Sequence, residues 1–382
     1  MKPWDYDITV SVWNEFWAPE LCSGLQKGGF KVLALDTCKT PIPLVTNERC
    51  ETSRILTALF QRTAWPPLIE AGQNVFEAFA RRRVGRSKVF WGWNGHHLSA
   101  FRAARSAGQV IVCERGSTHS AWAARRLSGV HGRLGWGQTD LHMNRREIRA
   151  IEEYAIADHI MVPSRFVLRT FLEEGVDPRK LHCNPYGVDV DFWSQVDGRT
   201  RSNGPLVFIF TANITPRKGA HILLQAWEKA DLRDAELWFV GGIHFPIREM
   251  FPCRDNVRFL GSKSHQEIRA LYERASIYIL PSFEEGMARS GLEAMAAGLP
   301  LIITEETGLT DVMNPGEHGW VVPSGDVDSL VQILRESTLD RDRLGQMSKA
   351  CKLRANLFGK SAYGLRAAQT ARAIFGKMTS KL

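Results

Sequence analysis

Short apolar runs recur along the first half of the chain, separated by longer amphipathic stretches. Runs 8–13, 31–36, 88–93, 109–113, 159–162 and 180–184 have the length and composition of buried strands. Between them, segments such as 146–157 and 165–174 place apolar residues at helical spacing. Residues 186–204 (YGVDVDFWSQVDGRTRSNG) then turn polar and rich in turn formers, which predicts a linker. The alternation restarts beyond it. Strands are predicted at 205–212, 236–241, 257–260, 277–280, 300–304 and 319–322, with helices at about 217–230, 265–275 and 290–297 and a helical tail from about 326. Repeated strand–helix alternation predicts right-handed crossovers and parallel sheets. The fold class is therefore α/β, with two Rossmann-like, doubly wound domains in tandem, facing an interdomain cleft. In such sheets ligands sit beyond the carboxyl ends of the strands.

Composition adds limits rather than chemistry. At 382 residues the chain suits two domains, and 44% hydrophobic with 24% charged residues is ordinary for a globular protein. No apolar run approaches the roughly 18 residues needed to span a bilayer. The start has no basic segment leading into an apolar one, so a secretory leader is not expected. Seven scattered cysteines without a CxxC favour a reducing cytosol over a disulfide framework. The net charge of +8 is uneven: 81–149 holds 14 basic residues against three acidic ones. Such a stretch attracts anionic lipid, phosphates or nucleic acid, or is simply a solvated face.

Several motifs are absent or fail. No GxGxxG follows the first strand, where Trp13-Asn14-Glu15-Phe16-Trp17 stands instead. Gly359-Lys360-Ser361 lacks the first glycine of a P-loop, because Arg354 holds that position. Neither HExxH nor GxSxG occurs. Adjacent His96 and His97 cannot easily share one metal on a helix, so a structural role is favoured.

The segment PSFEEGMARSGLEAMAAGLP (281–300) is more informative. It follows a predicted strand and opens a helix from about Ser290, whose free N–H groups form an anion site. Glu285 lies before that helix and Glu293 is expected in its first turn. A glycosidase pair would hold its carboxyls about 5 to 9.5 Å apart across one bond. Eight helical residues rise about 12 Å, so the two glutamates suit the two ends of one long ligand better. A carboxylate accepts two hydroxyl hydrogen bonds and suits a ribose diol. An ordinary surface role for Glu293 stays open on spacing alone.

The pattern P-S-x-x-E-G-x(5)-L-E-A-M-A-x-G-x-P-x-I resembles the signature of retaining, nucleotide-sugar-dependent glycosyltransferases of family 4, which have the GT-B fold. Residues 151–193, 210–227, the segment VRFLGSKSHQEIRALYERASIYILPS and 308–326 resemble the same family in the same order. The resemblance implies an N-terminal acceptor-side domain (1–190), a linker (191–204), a nucleotide-sugar-binding domain (205–360) and a C-terminal helix (361–382) packing back on the first domain. It implies that Glu293 binds the ribose and Glu285 the donor sugar near the reacting carbon. Gly286, Met287, Ala288, Arg289 and Ser290 would meet the sugar and diphosphate, with Arg217 and Lys218 neutralising the latter. A fixed cation stabilises a departing diphosphate. Leu260, Gly261 and Ser262 would meet the base, and His119 the donor sugar and reacting centre. No metal or other cofactor is implied, the nucleotide-sugar being a co-substrate.

The sequence departs from the family at the bulky Trp13–Trp17 turn, at Met287 and Ala288 in place of Phe-Gly, and at Asn213 where arginine is common. The expected function is transfer of a sugar to a glycan or lipid-linked acceptor in envelope or polysaccharide synthesis. A silent nucleotide-sugar-binding scaffold and a GT-B epimerase remain alternatives. The expected location is cytoplasmic, and Trp91, Trp93, Trp122 and Trp136 within the basic stretch suggest peripheral contact with an anionic surface at the inner face of the membrane. Nucleic acid is not an expected partner, since no known module for it occurs.

Overall fold

The computed structural model describes residues 4–13, 17–38, 40–63, 65–135, 143, 145–196, 204–251 and 254–379. Two parallel sheets follow one another along the chain. The first comprises β1 (Tyr6–Val12), β2 (Val32–Asp36), β3 (Thr46–Arg49), β4 (Ser87–Trp93), β5 (Val110–Glu114), β6 (His159–Val162) and β7 (Leu181–Cys183), in the order β3-β2-β1-β4-β5-β6-β7. The second comprises β8 (Leu206–Thr211), β9 (Ala235–Val240), β10 (Val257–Phe259), β11 (Ile277–Leu280), β12 (Leu301–Thr304) and β13 (Gly319–Val322), in the order β10-β9-β8-β11-β12-β13. β8, β11 and β12 are buried throughout. Helices on both faces of a parallel sheet bury both sets of side chains, so central strands read as unbroken apolar runs. β3 breaks that rule and was not expected. Its TNER is polar because it is an edge strand, paired only with β2. Glu48 on it takes ion pairs from Arg83 and Arg86.

Each sheet reverses its strand order once, between β1 and β4 in the first and between β8 and β11 in the second. These switch points splay adjacent loops apart and leave a crevice at the carboxyl edge. The chain passes between the two units twice, at neighbouring places. Val188 donates its N–H to the Phe358 carbonyl at 2.8 Å, and Lys360 donates to the Val188 carbonyl at 3.1 Å. Residues 197–203 of the expected linker lie outside the described residues. The last helix, Lys360–Thr379, then lies along the helix Ala18–Lys27 of the first unit. Gly24 and Gly364 let the two backbones touch: a Cβ on Gly24 would fall 2.1 Å from the Gly364 carbonyl carbon.

Two of the four expected membrane-facing tryptophans are not at the surface. Trp91 and Trp93 are core residues of β4. Trp122 is half-buried, edge-on to Phe166, and donates to Glu173. Trp136 lies outside the described residues. Much of the basic stretch is neutralised by distant acids, in pairs such as Lys88–Asp7, Arg102–Glu152, Arg105–Asp158 and Arg149–Glu77. The sequence shows the arginines as a block, whereas the fold disperses them. Among the described residues no helix is long and apolar enough to cross a membrane.

Candidate active site

The second switch point brings most of the expected site residues together. After β8, Thr215 accepts from the Lys218 N–H at 3.3 Å, capping a single 3-10 turn, Pro216–Lys218. After β11, the loop from Pro281 runs into the helix Arg289–Ala296. The two loops are knitted together. The Arg217 carbonyl accepts from the Phe283 N–H at 2.9 Å and from the Ser282 hydroxyl at 3.0 Å. The Ser282 carbonyl accepts from Thr304 Oγ1 at 2.6 Å. Both loops are therefore fixed to the sheet, and the side chains they carry are held with them.

Between the loops opens a cavity of about 300 Å³ lined by Thr211, Ala212, Asn213, Arg217, Lys218, Glu285 and Met287 to Ser290. Lys218 Nζ is paired with Glu285, and Arg217 Nη1 lies 3.3 Å from the same carboxylate. Burial lowers the Lys218 pKa, against the pull of Glu285. Burial also opposes the Arg217 charge, but Glu285 and Glu284 outweigh it and raise its pKa. The helix begins at Arg289 with no side-chain cap. The Ser290 hydroxyl, in the first turn, lies 2.7 Å from the Tyr278 hydroxyl. Two cations and an uncapped helix N-terminus thus converge where an anion would bind.

Because the helix starts one residue early, Glu293 sits in its second turn rather than its first. It opens into a neighbouring cavity of about 220 Å³, with Trp17, Trp193, His265 and Arg289 among its walls. Arg289 borders both cavities, and its guanidinium lies 5.3 Å from the Trp17 ring. Burial raises the Glu293 carboxyl to about 7, with Arg289 opposing. Trp17 belongs to the turn after β1, of which residues 14–16 lie outside the described residues. The two cavities place a cation-lined chamber beside an aromatic one, with a carboxylate in each.

The structure thus brings together Arg217, Lys218, Glu285, Met287, Ala288, Arg289 and Ser290, with Glu293 next door. It places the other expected residues elsewhere. His119 lines neither cavity. It caps the helix Ser120–Arg133, accepting from the Ala121 N–H, and packs against Tyr154 and Phe171. Burial lowers its pKa to about 4, against Glu174. Gly286 also lines neither, and stands at a close approach between the units. A Cβ there would fall 1.9 Å from the Gly116 carbonyl oxygen. Its own carbonyl accepts from Ser164 Oγ at 2.7 Å. Leu260, Gly261 and Ser262 line neither cavity either. Gly261 and Ser262 are exposed beyond β10, and the Gly261 carbonyl accepts from the Gly241 N–H. His97 is structural, fully buried between the Trp93 carbonyl and the Ser11 hydroxyl. Glu284 is the residue that sequence reasoning missed. It is buried and ion-paired to Arg217 at 3.0 Å.

Two tandem parallel-sheet units, with a site at the switch point of the second, define the GT-B class of architecture. Solved structures show the same fold over nearly the whole chain. Sucrose-phosphate synthase of Thermosynechococcus elongatus superposes with a TM-score of 0.67 at 17% identity, covering 97% of this chain and 99% of that one. Anabaena HepE, solved in complex with UDP-glucose, gives 0.64 at 14% identity, covering 96% and 100%. Residues 191–354 match the family model for glycosyl transferases group 1. The chain is 27% identical to the Escherichia coli colanic acid biosynthesis glycosyltransferase WcaL, over 73% of each protein. It is 29% identical to a GDP-mannose-dependent phosphatidylinositol monomannoside mannosyltransferase of Corynebacterium glutamicum, over 64% of this chain and 68% of that one. Other relatives are matched over about half their length, such as 45% of a Salmonella typhimurium colanic acid biosynthesis glycosyltransferase. The match to the group 1 glycosyltransferases thus spans the second unit, and the relatives that reach into the first unit are themselves named glycosyltransferases.

Proposed function

We propose that the protein transfers a sugar, with retention of configuration, from a nucleoside-diphosphate sugar to a glycan or lipid-linked acceptor in envelope or polysaccharide synthesis. The observation that carries this reading is the convergence of Arg217, Lys218 and an uncapped helix N-terminus on the Glu285 carboxylate, with Glu293 in the adjoining cavity. The diphosphate would lie against the two cations and the helix, the ribose hydroxyls against Glu293 and the sugar beside Glu285. In the reaction the anomeric carbon–oxygen bond to phosphate breaks as the acceptor oxygen bonds to the same face. The departing phosphate oxygen takes the acceptor proton, and Arg217 and Lys218 stabilise the charge that develops. With those cations in place no metal or other cofactor is needed. Relatives named for GDP-mannose dependence and a neighbour solved with UDP-glucose support the donor class. Thermal-shift measurements with UDP-, GDP- and ADP-sugars, with and without a chelator and followed by product analysis, test it. The expected outcome is stabilisation by one nucleotide series and an α-to-α or β-to-β product. Stabilisation by none removes the donor site. Binding without transfer marks a silent scaffold, and an altered free nucleotide-sugar marks an epimerase.

A membrane contact, if the acceptor is lipid-linked, is better sited on the helix Glu51–Thr63 than on the buried tryptophans. That helix turns small polar Ser53 and Thr57 inward, where Ser53 Oγ donates to the Gly72 carbonyl at 2.7 Å. It leaves Ile55 (53%) and Leu59 (41%) exposed, with Trp65 (58%) just beyond. Arg62 is exposed on the same helix, and Arg81 and Arg82 are exposed at the end of the next helix, Pro66–Arg81. An apolar face edged by cations and an aromatic ring is suited to an anionic bilayer surface.

A further inference from the structure

We infer that Glu284 is a positioning residue, which senses whether the two units are docked and sets Arg217 in place when they are. The inference rests on the donor-site reading above. Glu284 is only 3% exposed and lies between the units. One carboxylate oxygen accepts from Ser117 Oγ at 2.6 Å and Thr118 Oγ1 at 2.7 Å, both on the loop after β5 of the first unit. The other oxygen accepts from Arg217 Nη1 at 3.0 Å in the second unit. The same Nη1 lies 2.8 Å from the Glu284 carbonyl. The two hydroxyls are held from behind. Arg115 donates to the Thr118 carbonyl at 2.7 Å and to Asn94 Oδ1 at 2.9 Å. A continuous polar path therefore crosses the cleft from Asn94 through Arg115, the loop and Glu284 to Arg217.

A buried carboxylate must have its oxygens satisfied. When the units are docked, two hydroxyls of the first unit share that task, and Arg217 can still turn charge toward the cavity. When they part, those hydroxyls are lost and Arg217 is the charged partner that remains among the described residues, so the pair would close on itself. The first unit thereby controls a cation of the second. Burial tends to raise the Glu284 pKa, yet Arg217 and the two hydroxyls leave it below the usual carboxylate range, so the residue stays ionised. Two other cross-unit pairs offer less control. Arg165–Asp311 and Arg169–Glu305 have arginines 76% and 55% exposed, where water screens the interaction.

The test uses the full chain with UDP-glucose and GDP-mannose. Turnover is read as nucleoside-diphosphate release with water as acceptor, and affinity for UDP and GDP by calorimetry. Glu284→Gln, the pair Ser117→Ala with Thr118→Val, and the combination of all three are compared. Misplacing a group by about 1 Å costs on the order of 100-fold. Glu284→Gln and the hydroxyl pair should therefore each lower turnover about 10- to 100-fold. Nucleotide affinity should move less than about threefold, and the combination should be no worse than Glu284→Gln alone. Turnover within about twofold of wild type, losses that multiply, or affinity falling in step with turnover would each overturn the inference. Should Glu284→Gln fail to fold, the hydroxyl variants on the other unit carry the same readings. If wild type binds neither nucleotide, the donor-site reading fails, and this inference with it. If wild type binds but releases nothing, the catalytic role goes. Normal turnover in Glu284→Gln removes this inference alone.

Discussion

At the residue scale, the site separates two glutamates that look alike in the sequence. Glu285 is neutralised in place by Lys218 and Arg217, whereas Glu293 is largely buried, with Arg289 opposing its desolvation and His265 3.9 Å from its carboxylate. Folding therefore favours protonated Glu293. Its contribution to stability is complete below the ordinary value near 4.5 and is lost as the pH rises through about 7. Ribose binding runs the other way, because the ionised carboxylate accepts two hydroxyls. A nucleotide-sugar keeps its diphosphate charge over this range. Its affinity should rise about tenfold from pH 6 to pH 8, and calorimetry on Glu293→Gln should show a flat profile. A flat profile in the wild type would deny Glu293 the ribose. Glu285 and Glu293 could be picked out of the sequence because motif and strand–turn–helix context coincide. Glu284 could not, since its partners Ser117 and Thr118 are 167 and 166 residues away. His119 misled for a related reason. The sequence places it after β5, but packing turns its ring to Tyr154 and Phe171.

At the element scale, the loop after β11 is pinned at Gly286. A methyl group there meets the Gly116 carbonyl of the other unit. Gly286→Ala should destabilise by about 1–3 kcal/mol, the usual cost of overpacking, and lower turnover as the units are forced apart. Thermal denaturation alongside nucleotide release checks both, and an unchanged midpoint with full activity would contradict the close approach. The helix Glu51–Thr63 makes a second prediction. Wild-type protein should co-sediment with anionic vesicles at low salt, and Ile55→Ser with Leu59→Ser should abolish this while leaving nucleotide binding intact. No binding by wild type would remove the membrane contact. The central strands were readable because burial on both faces leaves unbroken apolar runs. β3 was not, since an edge strand that carries Glu48 for two arginines looks like a loop. The exposed apolar face of Glu51–Thr63 was equally hidden. Only the packing shows that Ser53 and Thr57, rather than Ile55 and Leu59, are the residues turned inward.

At the scale of the whole molecule, the two units meet at the candidate site. The second supplies the cations, the helix N-terminus and both glutamates, and the first supplies Trp17 beneath Arg289 and the hydroxyls that hold Glu284. The last helix returns to the first unit and, with the crossing at Val188, ties the two together by a double connection. Such an arrangement suits a reaction in which the donor is bound by one unit and the site is completed by the other. The most direct test of the central claim is the affinity of UDP and GDP for wild type and for Lys218→Ala, measured by calorimetry. The account predicts that one nucleotide binds wild type and that the variant loses at least about tenfold, the equivalent of 1.4 kcal/mol, for a lost charge-assisted contact. Equal affinity in the two proteins would place the diphosphate somewhere other than this cavity.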